Sequence, residues 1–444
     1  MKLKAPLDKT YLAYQEEGIK YALARKGTLI ADEMGLGKTV QALGVINNCW
    51  EPDGVGKRVI IVCPASLIWN WYSEIDKWVI RKDVAVHVTS YEQCSKMYIT
   101  SIDLLIVDEA QYVKHQKAQR TIAVKKLAKI SKKIILLTGT PIENKPVELF
   151  SLLQIIAPDE WDKSGRIKGK TVSPGEGAQF FNFAKRYCDA KEVRRGKKKF
   201  WDFSGNSNLE ELNSRLRETV MIRRLKKDVL KELPDKRHQI IVLPKTKNEN
   251  GWIDKFIDRL ECEWEHAIAE LKANKIAFEE FSKVRHQQGI EKVEYVIGHI
   301  HECMEQVDKV ILFAHHREVV ESLKEELGDF GIVCVTSNMS PAERANAVNE
   351  FQTKPDCKII LGTIDTMGTG FTLTASSLVL FAELSPVPGK MAQAADRAHR
   401  IGQRESVLVR YLVQDGSIDA RMCKILIKKM EVISRALDPV SAAV

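Results

Sequence analysis

The sequence predicts an α/β protein of two lobes, each a parallel sheet covered on both faces by helices. Three observations carry that expectation. Short β-branched runs alternate with helix-spaced apolar stretches through the first third of the chain, the same alternation returns in the last third, and the strand signal nearly vanishes between residues 157 and 307. At 444 residues the chain is too long for one ordinary core and suits two.

In order, residues 28–31, 59–63, 84–88, 104–107 and 134–137 read as strands, with helical spacing over 40–49 and 67–78. Continuously apolar strands separated by helices indicate a sheet buried on both faces, which is how parallel sheets occur. In the middle, 165–177 reads as loop, while 209–230 and 252–281 have helical spacing and are expected as helical additions to the two lobes. They are joined near 233–244, where two prolines interrupt the pattern. The last third reads as strands at 310–313, 332–335, 359–361, 378–381 and 407–413, with helices at 318–327, 341–351 and 391–399.

Composition narrows the class. No run of about 18 apolar residues appears and Met1-Lys2-Leu3-Lys4 leads into polar sequence, so the chain is expected neither to span a membrane nor to be secreted. The nine cysteines are scattered without a C-x-x-C pair, which points to reduced thiols rather than a disulfide framework or a zinc site. A net charge of +9 supports nucleic-acid binding only weakly. Clustering says more: Lys191, Arg194, Arg195, Lys197, Lys198 and Lys199 lie beside Phe200, Trp201 and Phe203, a stretch that either touches a phosphate backbone or forms a solvated loop. A second cluster, Lys125, Lys126, Lys129, Lys132 and Lys133, reads as a solvated helix face.

The chemistry-bearing segments follow the strands. Asp32-Glu33-Met34-Gly35-Leu36-Gly37-Lys38-Thr39 runs from a strand into a helix, the setting of a phosphate loop. Glycines there let backbone N–H groups approach phosphates, Lys38 reaches the β/γ oxygens, and the Thr39 hydroxyl holds Mg²⁺. A generic loop has glycine where this chain has Asp32. Asp108 and Glu109 close the 104–107 strand, at the carboxyl edge where ligands bind in open α/β sheets. Asp108 is expected to hold the metal and Glu109 to polarise the attacking water. Thr138-Gly139-Thr140-Pro141 follows another strand; it either couples the nucleotide to the rest of the lobe or is an ordinary turn. Arg397 and Arg400 are placed at i, i+3 on one helix face, suited to stabilise a γ-phosphoryl group if delivered to it and otherwise to surface ion pairs. Gln15 carries a two-sided amide that could read adenine.

Taken in order, these residues resemble the Snf2 family of superfamily 2 helicase-like ATPases, over essentially the whole chain from Tyr14-Gln15 to Gly416-Ser417-Ile418-Asp419. Asp32 to Thr39 matches the family's first motif and so explains the aspartate. Pro64-Ala65-Ser66-Leu67 with Trp69, Trp71 and Glu74 resembles motif Ia, Thr89-Ser90-Tyr91 motif Ib, and Leu137 to Asn144 motif III. Arg223 to Leu230 with Leu233-Pro234 is similar to the linker between helical protrusions, Gly368 to Leu373 to motif V, and Gln393 to Gln403 to motif VI. Arg186 to Lys191, Phe203 to Leu209 and Phe381-Ala382-Glu383-Leu384 look like the annealing-helicase branch. Two departures stand out: Gln111 occupies a motif II position usually held by histidine, and Ser385-Pro386-Val387-Pro388-Gly389 lacks a tryptophan common there.

The resemblance implies two RecA-like lobes with Snf2-type helical insertions. It places the ATP-binding lobe at 1–156, its protrusion at 157–232, a linker at 233–245, the second protrusion at 246–306 and the second lobe at 307–444. It implies ATP and Mg²⁺ as cofactors, with Gln15, Met34, Gly35, Leu36, Gly37, Lys38, Thr39, Gly370, Arg397 and Arg400 at the nucleotide and Thr39 and Asp108 at the metal. DNA would be held at Pro64, Ala65, Ser66, Thr89, Ser90, Thr369 and Gly370 through sequence-independent phosphate contacts. The implied activity is a DNA-dependent ATPase that translocates on duplex or branched DNA and remodels or anneals it; a motor that displaces DNA-bound proteins is the alternative, and a non-hydrolysing DNA-binding module a more distant one. The expected setting is a monomer in a bacterial or phage-infected cytoplasm, with no membrane association and a separate protein for targeting.

Overall fold

The computed structural model describes residues 2–50, 56–142, 145–158, 176–195, 198–244, 275–368, 370–415, 417–420, 422–423, 426 and 436–437. All of the loop expected at 165–177 except Glu176 and Gly177, which begin a helix, most of the helix expected at 252–281, Thr369, Gly416 and the Glu143-Asn144 end of the third motif lie outside them. The chain divides into two compact units, Met1–Leu230 with Val432–Val444, and Lys231–Glu431.

In the first unit α1 (Ala13–Leu23), β1 (Gly27–Ile30), α2 (Lys38–Asn48), β2 (Lys57–Cys63), α3 (Ile68–Trp78), β3 (Val84–Ser90), β4 (Ile102–Asp108), α4 (Gln119–Lys129), β5 (Ser131–Leu137) and α5 (Glu148–Ile156) alternate as expected. Then come α6 (Glu176–Tyr187), β6 (Lys191–Arg195), β7 (Lys198–Asp202), α7 (Leu209–Thr219), β8 (Met221–Ile222) and α8 (Lys226–Val229). The main sheet is parallel, in the order β3-β2-β4-β5-β1-β8. Its central β-branched residues, among them Ile61, Val62, Ile106 and Val107, are wholly buried. Each such side chain contributes about 1.5–3 kcal/mol of transfer free energy. Because all strands run one way, Ala31, Pro64, Asp108 and Thr138 emerge at one edge, and the motifs gather there.

The second unit comprises β9 (Lys236–Leu243), α9 (Lys275–Glu291), α10 (Val293–Met304), β10 (Val310–Ala314), α11 (Arg317–Glu326), β11 (Ile332–Val335), α12 (Pro341–Thr353), β12 (Ile359–Thr363), α13 (Ile364–Met367), β13 (Leu378–Phe381), α14 (Pro388–Ala395) and β14 (Val407–Gln414). Its six strands are also parallel, ordered β11-β12-β10-β13-β14-β9. Helix α12 shows how local sequence sets a boundary: Ser340 accepts from Glu343 N–H (3.3 Å), Glu343 accepts from Ser340 N–H (2.7 Å), and Pro341 fills the first helical position.

Four segments depart from the sequence reading. Residues 236–243, expected within a linker, form β9 and pair with β14 from Lys236–Val407 to Leu243–Gln414; Pro234 and Pro244 bound this edge strand rather than break it, the place where a sheet tolerates proline. The basic stretch after α6 is an antiparallel ribbon, β6–β7, rather than a loop. The helix expected over 209–230 stops at Thr219, and the chain adds the short strand β8 beside β1. Ala436 and Leu437, expected with the second lobe, belong to the first unit, where both are fully buried and Arg217 Nη2 donates to Leu437 O at 2.7 Å.

Candidate active site

The phosphate loop leaves β1 and turns through Gly35 (φ +85°) and Gly37 (φ +70°), a backbone that L side chains rarely adopt. A Cβ on Gly37 would lie 2.5 Å from Gln15 Nε2. Lys38 opens α2, with Nζ donating to the carbonyls of Asp32 (2.8 Å) and Glu33 (3.3 Å). Gln15 is buried and its amide serves the chain itself: Oε1 accepts from Leu12 N–H (3.0 Å) and Nε2 donates to Leu36 O (3.4 Å).

Asp32 has a structural explanation. Its carboxylate is fully buried and accepts from Gln41 Nε2 (2.8 Å), Arg224 N–H (3.0 Å), Arg224 Nε (3.0 Å) and Arg224 Nη2 (2.5 Å). The same segment clasps the loop elsewhere. Ala31 N–H donates to Ile222 O (2.8 Å), Glu33 N–H to Arg224 O (3.0 Å), Lys226 N–H to Glu33 Oε2 (2.7 Å), and Arg223 Nη1 to Ala31 O (2.8 Å). In the sequence Arg223 and Arg224 stand out only as the start of the linker-like segment 223–230, and nothing in their spacing signals this clamp.

Asp108 and Glu109 end β4 as expected. Glu109 sits in the left-handed region (φ +50°), a conformation costing on the order of 1–3 kcal/mol and concentrated at functional sites. Asp108 accepts from Trp71 Nε1 (2.9 Å) and Glu109 N–H (2.9 Å). Burial, then the neighbouring Glu109 charge, pushes its carboxyl up to about 7. Gln111, buried at the position usually held by histidine, joins two motifs: Nε2 donates to Glu109 Oε2 (2.7 Å) and Oε1 accepts from Thr138 Oγ1 (2.6 Å), while Thr138 Oγ1 accepts from Thr140 N–H (3.0 Å). A Cβ on Gly139 would meet Met34 Cγ at 2.4 Å and Lys38 Nζ at 3.3 Å, so the third motif packs directly on the phosphate loop. The turn at 138–141 is therefore held against the phosphate loop rather than standing free in solvent.

These residues fit a phosphate chain and Mg²⁺. The glycine turn leaves backbone space only an unsubstituted Cα permits, and Asp108 offers a carboxylate whose anionic form a cation would favour. Asp108 with the Thr39 hydroxyl is an all-oxygen donor set of the kind Mg²⁺ takes alongside phosphate oxygens and water.

Of the residues expected at DNA, Pro64 follows β2, and Ala65 and Ser66 are exposed on the single 3₁₀ turn Ala65–Leu67. Thr89 and Ser90 are buried, 2% and 3% exposed, as the last residues of β3, and Ser90 Oγ accepts from Gln93 N–H (3.3 Å). Neither hydroxyl is presented to solvent.

In the second unit Gly370 takes φ +82°. Arg397 and Arg400 do not lie on a helix: α14 ends at Ala395, because Arg397 O accepts from Leu373 N–H (2.9 Å) in place of a residue one turn on. Arg397 is buried, with Nε donating to Gly368 O (2.8 Å) and Nη1 to Phe371 O (3.2 Å). Arg400 is partly exposed and donates through Nη1 to Thr372 Oγ1 (3.3 Å). Gln403 Nε2 ties the turn to the carbonyls of Thr374, Ser376 and Ala398.

Comparison with known proteins identifies the family. The model of the SNF2-related domain matches residues 14–97 and 80–307, and that of the helicase conserved C-terminal domain matches 291–402. The SWI/SNF-related matrix-associated actin-dependent regulator of chromatin subfamily A-like protein 1 of Xenopus tropicalis is 31% identical over 97% of this chain and 45% of its own length. The human DNA annealing helicase and endonuclease ZRANB3 is 33% identical over 96% of this chain and 40% of its own. The chain thus spans less than half the length of these two relatives. A solved Sulfolobus solfataricus SWI2/SNF2 ATPase core in complex with dsDNA covers 99% of this chain at 21% identity and a TM-score of 0.43, a similarity too distant to bear on the site. With a glycine turn, an Asp-Glu pair and a Thr-Gly-Thr turn on one sheet edge, and family models matching from residue 14 to residue 402, this chain belongs to the SNF2-related family.

Proposed function

We propose that this chain is a DNA-stimulated ATPase that moves on duplex or branched DNA and remodels or anneals it. The observation that carries the reading is the chain of contacts Glu109–Gln111–Thr138 beside the glycine turn, which fixes a carboxylate next to a phosphate site. Backbone N–H groups from Gly35 to Lys38 and the Lys38 ammonium would bind the triphosphate, with Thr39 and Asp108 as protein ligands to Mg²⁺. That ion, when bound, offsets charge on the phosphoryl oxygens. Glu109, held by Gln111, orients and polarises water. Arg397 and Arg400 are the candidate guanidiniums for the charge that develops on the transferred group. The name of the human relative, a DNA annealing helicase, supports annealing as the outcome of the motion.

Lys38→Ala and Glu109→Gln are expected to abolish ATP turnover while DNA binding persists. Steady-state hydrolysis with no DNA, then with single-stranded, duplex and forked DNA, is the measurement. Wild-type turnover in either variant, or no stimulation of the wild type by any DNA, overturns the reading.

A further inference from the structure

Residues 185–199 carry eight basic and two acidic side chains, most of the chain's net charge of +9, and no role in the nucleotide site uses them. Among them 185–187 end α6, 191–195 form β6 and 198–199 begin β7, and the ribbon's register pairs Glu192 with Trp201 and Arg194 with Lys199. Alternation puts these four on one face.

The base of that face is anchored. Trp201 packs edge-on against Phe181 (centroids 5.3 Å) and stacks with Phe203 (6.5 Å), and Phe203 in turn meets Phe180 (4.8 Å) at the rim of the core. Lys185 Nζ stands 5.5 Å from the centre of the Trp201 ring, which remains 38% exposed. Lys199 lies two residues beyond this anchor, about 7 Å along the strand. Arg194 and Lys199 are exposed, and Lys199 meets Glu192 at 3.1 Å in a pair between two exposed side chains. Such a pair is worth on the order of 1 kcal/mol or less and exchanges readily for a phosphate.

We propose that the β6–β7 ribbon is a second DNA contact, gripping the phosphate backbone of a duplex with Arg194, Lys199 and Lys185. A ribbon fixed at its base by aromatic packing holds its cations at low entropic cost, and a two-stranded ribbon is narrow enough to lie in a duplex groove about 12 Å wide. Because the contact is to backbone phosphates rather than to base edges, it is sequence-independent. This inference rests on the DNA-motor reading above.

The test is binding of a labelled duplex across a salt series by Arg194→Glu/Lys199→Glu. Lys126→Glu/Lys129→Glu serves as the charge-matched control, being an exposed pair on α4 of the same unit. The ribbon variant is expected to bind at least about tenfold more weakly near 0.1 M salt and to lose about 1.8 from the slope of log K against log salt. The control stays within about threefold of wild type. Duplex-stimulated kcat at saturating DNA is expected to be unchanged in both, with only the DNA concentration for half-stimulation raised in the ribbon variant. Equal losses in both variants, or loss by neither, overturn the ribbon contact while the ATPase reading stands. A loss confined to single-stranded DNA also overturns it. A wild type that neither binds DNA nor responds to it overturns both.

Discussion

Asp32→Asn tests whether the phosphate loop is held by a buried ion pair formed across 192 residues of sequence. The carboxylate is wholly buried and receives four N–H donors, three of them from Arg224, whose side chain is 11% exposed. Removing one partner of such a pair costs about 3–5 kcal/mol, because the other charge stays buried without compensation. Arg224 keeps the Tyr14 carbonyl, Gln41 Oε1 at 2.9 Å and the exposed Glu17 at 3.7 Å, so the expected loss sits at the lower end, about 3 kcal/mol. In a unit of this size each kcal/mol moves the midpoint by about 2–4 °C, giving a fall of roughly 6–12 °C. Thermal unfolding, repeated with Arg224→Met and with the double variant, measures it. The double variant should lose less than the two singles together, by about 0.5–3 kcal/mol, since neither charge is then stranded. ATP affinity should fall as well, because Lys38 rests on the carbonyl of Asp32. An Asp32→Asn protein within about 0.5 kcal/mol of wild type, with additive effects in the double variant, would refute the clamp.

Gln111→Leu removes the link between Glu109 and Thr138 and is expected to lower kcat by about tenfold to a hundredfold, with ATP affinity little changed; a kcat within twofold of wild type in steady-state assays counts against the link. Gly37→Ala forces a side chain into a left-handed backbone at φ +70° and against Gln15, costing on the order of 1–2 kcal/mol and weakening ATP binding as measured by calorimetry. In the second unit burial raises the Glu383 carboxyl, but the hydrogen bond and charge of His316 and the backbone N–H groups of His316 and His315 outweigh it and bring it down to about 2 from an ordinary 4.5. A depressed carboxylate stabilises above its unfolded value, so a contribution on the order of 3 kcal/mol is expected at neutral pH and lost as pH falls from about 4.5 to 2. Burial likewise lowers His315 to about 4 from 6.5, which erodes stability already between those values. Unfolding midpoints against pH should show both limbs, and Glu383→Gln should flatten the lower one.

The expected strands of both lobes appear in the structure within a few residues of their assigned bounds, because a strand buried on both faces declares itself in a short β-branched run. Gly35, Gly37, Lys38, Asp108 and Glu109 were legible for a related reason: their chemistry is local, carried by consecutive residues that follow a strand. The ribbon at 191–202 was not, since its lysines and arginines mask the alternation that marks a strand. Helix α14 was expected to run on to residue 399, yet a hydrogen bond from Leu373 ends it at Ala395. Nothing in the spacing of 391–399 could have shown that.

What the sequence by itself determined is therefore the α/β layering and the position of the glycine-turn and acidic motifs at strand ends, both encoded in near neighbours. Only the tertiary structure decided what those motifs and strands pair with: Arg224 on Asp32, Gln111 between Glu109 and Thr138, β9 beside β14, and Leu437 on Arg217. Each of these joins residues far apart in the chain or fixes one rotamer among several. Such pairings have no periodicity to read, and they become visible only when the strands are assembled side by side.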